Sequence, residues 1–220
     1  MSPRAESFAD AEGQGVVLRL VSAIQDNAKS LSEIDGAIGD GDHGINMSKG
    51  FSLCRDRLEK SPGGFAAGLG TLGDVLLSEI GGAMGPLYGT FFTEMARGAH
   101  GEARIDSALF LGMLEGATAA VKDLGGAKVG DKTMVDVLDP ALEELRRAAR
   151  SGSGFSACLA AMADAANRGK ESTRDMVARL GRSSRLGERS RGTLDAGAAS
   201  CALLLETMAK SIIDLLGGRP

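Results

Sequence analysis

The sequence of 220 residues is poor in aromatic side chains and in cysteine, with no tryptophan, one tyrosine and three cysteines. With a net charge of −4, it offers neither a stacking platform nor a basic surface for nucleic acid. The cysteines Cys54, Cys158 and Cys201 have no CxxC spacing and lie in apolar helical patterns, so we expect reduced core residues. These scarcities argue against a nucleic-acid partner and against a disulfide framework.

Long apolar runs are missing as well. No stretch approaches the roughly 20 hydrophobic residues that span a bilayer, and the N-terminal segment MSPRAESFADAEGQG has no apolar part after its arginine. We therefore expect no membrane partner, no secretory signal and a cytoplasmic location. The hydrophobic fraction of 43% is ordinary for a globular protein. We predict a single domain over residues 1–220, with residues 1–13 flexible.

Apolar residues follow the helical period along most of the chain. In the first segment Val17, Leu20, Val21 and Ile24 recur at intervals of three and four, which indicates one buried helix face. We find no alternating strand pattern of useful length. The prediction is an all-α fold of eight helices. Seven of them span residues 16–31, 46–58, 65–80, 86–97, 105–124, 155–178 and 196–216. The sixth helix along the chain begins at Lys132 after an Asp131 cap, and Pro140 predicts a kink or a restart within it.

The unusual residues concentrate in four loops, which read GDGDHG, GGAMGP, GGAKVGDKT and GRSSRLGERSRGTLDAG. If neighbouring helices run up and down, the bends at alternate junctions meet at one end of the molecule. We therefore expect a site that is assembled from several loops.

The first of these loops is strongly acidic. Asp35, Asp40 and Asp42 fall within eight positions, and His43 and Asn46 follow directly. Asp and Gly often act only as caps and turn residues, but carboxylates this close repel one another and favour a bound cation. Carboxylate oxygens are hard ligands that suit Mg²⁺, and this ion completes its coordination with water and substrate phosphates.

A calcium-binding EF-hand is the nearest alternative for these aspartates, and its spacing fails. A loop that began at Asp35 would place Asn46 at its twelfth position, and one that began at Asp40 would place Phe51 there. The EF-hand requires a bidentate Glu at that position. Magnesium therefore remains the favoured ion.

The other loops allow an ordinary structural role beside a functional one. GGAMGP fits a glycine stop followed by a proline start. Arg182 and its neighbouring arginines fit a solvated basic face, although arginine is also a natural clamp for phosphate. Met134 is expected in the core unless a planar ligand lies against it.

Four stretches of the sequence together resemble one known family. IGDGDHGINMSKGF, GGAMGPLYGTFF, GDKTMVDVL and LGERSRGTLDAGAAS look like the signature stretches of the nucleotide-binding L subunit of dihydroxyacetone kinases, in the family's order. The similarity extends over most of the chain, from about Leu18 to Leu216. It implies eight antiparallel helices in an up-and-down α-barrel, with the nucleotide held by the loops at one end.

The resemblance also implies the roles of individual residues. The aspartates that match Asp35, Asp40 and Asp42 bind two Mg²⁺ ions in the family, and these ions hold the phosphates of ADP or ATP. Gly125 and Met134 match positions that line the adenine pocket. The full set of implied nucleotide-binding residues is His43, Gly44, Ile45, Asn46, Gly82, Ala83, Met84, Gly125, Met134, Arg182, Asp195, Ala196 and Gly197.

Two positions depart from the family pattern. Met84 stands where the family usually has a serine, so a phosphate-binding hydroxyl is missing. Ala196 replaces the proline of a family Asp-Pro-Gly turn. One lost neutral hydrogen bond weakens binding by about 0.5–1.5 kcal/mol, which two Mg²⁺ ions are expected to outweigh.

By resemblance, the chain is a phosphotransferase subunit of a kinase for dihydroxyacetone or a related short ketose such as erythrulose. A separate K subunit holds the ketose through its own histidine, so neither His43 nor His100 is assigned that role, and no catalytic residue is assigned in this chain. The phosphoryl donor is either exchangeable ATP or a phosphotransferase-system subunit that rephosphorylates a bound ADP. A homodimer is left open.

Two other functions remain as alternatives. A nucleotide-responsive module that docks on a partner without transferring phosphate is suggested by Met84 and opposed by the complete set of aspartates. The N-terminal domain of fatty-acid kinases is related, but it usually has a threonine at the position of His43 and requires further domains. It is the least favoured of the three.

Overall fold

The computed structural model describes residues 6–217, and these residues are almost entirely helical. The α-helices are α1 (Gln14–Ile38), α2 (His43–Lys60), α3 (Phe65–Glu79), α4 (Met84–Gly98), α5 (Ser107–Gly125), α6 (Val135–Arg150), α7 (Phe155–Ser172) and α8 (Ala196–Leu215). Short 3₁₀-helices lie at Asp10–Glu12, Thr173–Asp175 and Arg182–Ser190. The predicted all-α fold with eight α-helices is confirmed for the described residues.

The helices form a closed up-and-down barrel. Each α-helix packs against the next one along the chain, and α8 packs against α1, which closes the ring. The apolar faces meet in one core, in which Phe51 and Phe92 contact each other edge to face with ring centroids 6.0 Å apart. Cys54, Cys158 and Cys201 are buried and unpaired by disulfides, as the sequence predicted.

The start of the described chain differs from the predicted flexible segment. Strand β1 (Ser7–Ala9) pairs antiparallel with β2 (Arg104–Asp106), and Phe8 of β1 is buried against Phe65. Residues 7–12 therefore adopt regular structure within the segment 1–13 that we expected to be flexible, and residues 1–5 lie outside the described part. Three-residue strands are too short to show an alternating pattern, which is why the sequence did not reveal them.

Helix α8 is the one described helix that is long and apolar enough to cross a membrane by length and composition. Its apolar residues face the core and pack against α1 and α7, and 67% of the apolar window is buried inside the protein. Burial on this scale is typical of the central helix of a globular domain.

The boundaries of several helices differ from the prediction. Helix α1 continues to Ile38, so Asp35 lies on its last turn rather than in the bend. Helix α6 begins at Val135 and not after Asp131, because Asp136 accepts hydrogen bonds from the Gly130 and Thr133 amides at 2.5 and 2.8 Å and organises the turn before it.

Pro140 lies inside α6 without a restart, so that predicted alternative is wrong. Pro140 has no N–H for the Asp136 carbonyl four residues earlier. That carbonyl faces α7, where a Cβ on Gly169 would lie 2.3 Å from it. The absence of a side chain at Gly169 therefore allows α7 to pack closely on the proline-containing turn.

Lys132 joins the α5–α6 loop to the α7–α8 loop. Only 1% of the residue is exposed, and its ammonium donates to the carbonyls of Thr173 and Thr193, both at 2.6 Å, and of Met176 at 3.3 Å. Its backbone has a φ of 62°, an uncommon conformation for a residue with a side chain. The sequence predicted Lys132 as a helix start, whereas the structure uses it to hold two loops together.

Asp195 caps α8 close to this lysine. Its carboxylate accepts from the Ala198 amide at 2.7 Å, and its own amide donates to the Thr173 hydroxyl at 3.1 Å. Burial raises the pKa of Asp195 to about 6, although the Ala198 hydrogen bond and the positive charge of Lys132 oppose that shift. The cap is therefore a carboxyl group that loses its proton at a higher pH in the folded chain than in the unfolded chain.

We predict that Lys132→Met lowers the free energy of unfolding by about 1–3 kcal/mol, because the change leaves buried carbonyls without a donor. Methionine has a similar length, so packing is largely retained. Urea unfolding measures the loss, and Lys210→Met serves as control because Lys210 is exposed and forms a surface ion pair with Glu206. Equal stability of both variants would show that the ammonium is not needed.

We also predict that the free energy of unfolding of Asp195→Asn, relative to that of the original chain, increases as pH rises. A carboxyl group whose folded pKa is raised costs stability as pH increases from its unfolded pKa to its folded one, and asparagine carries no such cost. Between pH 4.5 and 7.5 the variant should gain about 1–2 kcal/mol over the original chain, given the pKa of about 6. Urea unfolding at both pH values, in EDTA, tests this. A difference independent of pH would contradict it.

Candidate functional site

The four loops with unusual residues meet at one end of the barrel. Arg182 of the α7–α8 loop pairs with Asp40 of the α1–α2 loop. Tyr88 of α4 donates to the Gly197 carbonyl of α8 at 2.9 Å, and the Arg179 amide donates to the Asp131 carbonyl at 3.1 Å. The meeting of alternate junctions, which the sequence predicted, is therefore present in the structure.

The even-numbered helices α2, α4, α6 and α8 all begin at this end. The N-terminus of a helix has free amide donors and a partial positive charge, which together attract anions. The N-terminal parts of α2, α4 and α8 are joined to one another through hydrogen bonds at His43, Tyr88 and Ser200. The barrel thus gathers helix ends that favour an anionic ligand.

The same end of the barrel also carries negative charge in the acidic cluster, which consists of Asp35, Asp40 and Asp42. One carboxylate oxygen from each aspartate lies within 4.8 Å of those of the other two, with Asp35 half-buried and the other two exposed. The Asp35 carboxylate also accepts from the amide of His43 at 3.4 Å. The aspartates that the sequence singled out therefore converge, although they come from a helix end and a loop.

These residues fit a hard divalent cation. All three ligands are carboxylates, which Mg²⁺ prefers, and they leave room for water and phosphate oxygens in its coordination. The pairing of Arg182 with Asp40 shows that the cluster already attracts a positive charge in the protein alone. Arg182 lies on the exposed 3₁₀-helix, so the same guanidinium is also within reach of ligands at the cluster.

His43 forms the other side of this part of the site. Its Nε2 lies 2.8 Å from the Ser200 hydroxyl, and the ring is half-buried. Burial lowers the pKa of His43, and the carboxylate of Asp35 partly opposes that change. The imidazole is therefore neutral near pH 7. The next residues of the turn are Gly44, Ile45 and Asn46, of which Ile45 is 67% exposed.

Gly44 is required where α2 crosses α1. A Cβ at this position would lie 1.8 Å from the Ala28 carbonyl oxygen, so any side chain would push the two helices apart. The first turn of α2 consequently packs directly against α1, and α1 is also the helix that carries Asp35. Gly44 therefore has a structural role in helix packing in addition to its predicted role in nucleotide binding.

The residues assigned to the adenine pocket and to the family Asp-Pro-Gly turn lie at the end of α5 and near the starts of α6 and α8. Met134 is buried immediately before α6, and its backbone nitrogen lies 3.7 Å from where a Cβ on Gly197 would be. Gly125 ends α5 and is exposed, with Leu87 of α4 beside it. Asp195 and Ala196 precede Gly197 at the α8 cap. Met134 and Gly197 are thus neighbours, and Gly125 approaches the α4 start.

The α3–α4 loop is the most open part of the site. Gly82 has a φ of 73° and open space around it, and Ala83 is exposed. Met84 begins α4 and packs partly against the core. Within residues 6–217, Gly82 and Ala83 form no hydrogen bond to the other three loops.

Sequence reasoning missed three residues at this end, Tyr88, Lys132 and Ser200. Tyr88 is the one tyrosine of the chain and lies on an apolar helix face. A buried phenol needs a hydrogen-bond partner, so its presence was a signal for a polar contact. The partner, Ser200, lies 112 positions away and had no signal of its own.

Comparison with known proteins agrees with this arrangement. Residues 37–210 match the model of the DAK2 domain family. The ADP-binding subunit DhaL of PEP-dependent dihydroxyacetone kinase 1 from Listeria innocua is 39% identical over 186 residues, which cover 84% of this chain and 88% of that protein. The D-erythrulose kinase of Mycolicibacterium smegmatis is 33% identical over 220 aligned positions, covering 96% of this chain and 38% of that protein.

The structure is also similar to part of a larger solved kinase. The dihydroxyacetone kinase of C. freundii, in a crystal structure with AMP-PNP and Mg²⁺, superposes with a TM-score of 0.68 and 26% identity. The match covers 94% of this chain and 35% of the kinase chain. Given the extent of the family match and the identity to the Listeria protein, the chain belongs to the DAK2 domain family.

Proposed function

We propose that the chain is the Mg²⁺- and ADP- or ATP-binding subunit of a kinase that phosphorylates dihydroxyacetone or a related short ketose. The observation that carries the proposal is the acidic cluster, set among the starts of four helices at one end of the barrel. The names of the relatives, an ADP-binding kinase subunit and an erythrulose kinase, support the reaction class.

In this proposal, Asp35, Asp40 and Asp42 hold the metal, with two ions as in the family pattern. Bound Mg²⁺ would neutralise charge on the transferring phosphoryl group. The helix starts orient the nucleotide phosphates through their free amides, and Arg182 adds a guanidinium that pairs with anionic oxygens. Gly125 and Met134 line the adenine pocket, and Gly197 lies next to Met134.

Acceptor binding is assigned to a partner chain. Five large hydrophobic side chains exposed among residues 6–217 lie at the site end of the barrel: Ile45, Leu77, Leu124, Val129 and Leu180. Exposed apolar groups around a polar site are typical of a protein interface. We infer that they contact a K subunit that holds the ketose over the phosphoryl group.

The same comparison supports a proposal for the physiological setting. The Listeria relative is named as an ADP-binding subunit of a PEP-dependent kinase, and this favours an ADP that stays bound and is rephosphorylated by a phosphotransferase-system subunit. Dihydroxyacetone is the first candidate for the acceptor, and erythrulose the second because of the Mycolicibacterium relative. We place the subunit in the cytoplasm.

A second function is suggested by Met84, which supplies no hydroxyl at the start of α4. A chain that binds nucleotide and docks on a partner without transfer would tolerate this loss. A transfer assay with a K-type subunit and each candidate ketose separates the two functions. Phosphorylated ketose supports the kinase subunit, whereas nucleotide binding without product supports the docking module.

We predict that Asp42→Asn weakens Mg²⁺-dependent binding of ADP and ATP at least tenfold, because the metal loses a charged ligand. Helix content should not change, since the Asp42 side chain makes no capping hydrogen bond to α2. Titration with labelled nucleotides, with and without Mg²⁺, measures the affinity and the rate of release. Asp26→Asn, an exposed position on α1 away from the cluster, is the control.

Slow release of ADP from the original chain would indicate a trapped cofactor, and rapid exchange would indicate direct use of ATP. Unchanged affinity in Asp42→Asn would refute the metal assignment. Absence of nucleotide binding in the original chain, with and without a K-type subunit, would refute the proposed function itself.

We predict that Met84→Ser strengthens nucleotide binding about 2–10-fold, because it adds a hydroxyl donor at the start of α4, equivalent to about 0.5–1.5 kcal/mol. Met84→Ala removes the same bulk without adding a donor and is the matched control. Calorimetric titration with Mg-ADP compares the three chains. If serine and alanine have the same effect, the missing hydroxyl is not what limits affinity.

A further inference from the structure

A chain of hydrogen bonds joins His43 to two buried hydroxyl groups that the proposed function does not use. Nε2 of His43 lies 2.8 Å from the Ser200 hydroxyl, which lies 2.6 Å from the Tyr88 hydroxyl. Tyr88 lies 2.9 Å from the Gly197 carbonyl, and Ser200 also approaches the carbonyls of Ala196 and Gly197 at 3.0 and 3.2 Å. The chain connects the first turn of α2 to α4 and α8.

The number of protons decides how these contacts are filled. Tyr88 and Ser200 each carry one hydroxyl proton, and carbonyl oxygens only accept. If the proton of neutral His43 is on Nε2, it fills the contact to Ser200, and the two hydroxyl protons fill two more contacts. If it is on Nδ1, Ser200 must donate to Nε2, and only the Tyr88 proton remains for the others. The Nε2–H form therefore makes one more hydrogen bond.

Because the two hydroxyl groups are buried, the difference of one hydrogen bond between the two tautomers affects which tautomer is favoured. Tyr88 is 2% exposed and Ser200 is fully buried, so solvent cannot readily supply a missing partner. Burial also raises the pKa of Tyr88 well above its usual value, which keeps the phenol proton in place. Packing alone would not require this hydroxyl, since the neighbouring core residues Phe91 and Phe92 fill similar positions on α4 without one.

We propose that Tyr88 and Ser200 are positioning residues that hold His43 in its Nε2–H form and fix the orientation of its ring beside the acidic cluster. His43 then has Nδ1 as its acceptor nitrogen, and within residues 6–217 this nitrogen has no hydrogen-bond donor. Its function is to accept a hydrogen bond from a hydroxyl group or a metal-bound water of a Mg-nucleotide. This part of the inference rests on the proposed function, whereas the state of the imidazole does not.

The first experiment detects the proton directly. The chain has only two histidines, His43 and His100, and His100 is exposed. In protein labelled with ¹⁵N-histidine, without metal or nucleotide and at pH 8, we expect an observable Nε2–H signal for His43 and none for His100. Ser200→Ala should abolish the signal, and Tyr88→Phe should weaken it.

Ser211→Ala is the matched control. Ser211 is also a buried serine of α8, but its hydroxyl donates to the Thr207 carbonyl of its own helix at 2.7 Å. It should leave the His43 signal unchanged. A proton found on Nδ1 in the original chain, or an unchanged Nε2–H signal in Ser200→Ala, would overturn the inference.

The second experiment measures affinity for Mg-ADP in the same variants. We expect a loss of about 3–10-fold for Ser200→Ala and Tyr88→Phe, and none for Ser211→Ala, because one hydrogen bond is misplaced. Full affinity in both site variants would overturn the positioning role. If the original chain shows the His43 proton but binds no nucleotide, the proposed function fails while the assignment of the imidazole stands.

Discussion

The mutual repulsion of Asp35, Asp40 and Asp42 is the constraint around which this end of the molecule is organised. Carboxylate oxygens within 4.8 Å of one another require positive charge nearby. The protein alone supplies part of it through Arg182, which pairs with Asp40, and through the amides at the helix starts. A divalent cation would satisfy the same requirement more completely, which is the physical reason for proposing a metal site here.

The barrel makes this arrangement possible because of its up-and-down course. Alternate junctions lie at the same end, so the starts of α2, α4, α6 and α8 surround the acidic cluster. Close packing at Gly44 and Gly169 fixes the spacing of neighbouring helices. Lys132 of the α5–α6 loop donates to backbone carbonyls of the α7–α8 loop, so that the α7–α8 loop is held without a regular α-helix of its own.

Much of the fold was predictable from local pattern. The period of apolar residues located eight helices, because each helix buries one face in a common core. The predicted ends of the helices were less accurate where a side-chain hydrogen bond that the pattern does not reveal sets the end. Asp131 looked like the cap of α6, yet Asp136 organises that turn through two amides. The pairing of β1 with β2 was missed, since each strand is three residues long and finds its partner about a hundred positions away.

The sequence by itself determined the all-α class, the buried cysteines and the acidic loop, and the order of its four motifs indicated the family. These properties depend on residue type and short spacing, which are written directly in the chain. Only the tertiary structure decided that Lys132 is a buried clamp, that Arg182 pairs with Asp40, and that Tyr88, Ser200 and His43 share one chain of hydrogen bonds. Hydrogen bonds and ion pairs act over a few ångströms, so their partners are known only when the barrel brings distant segments together.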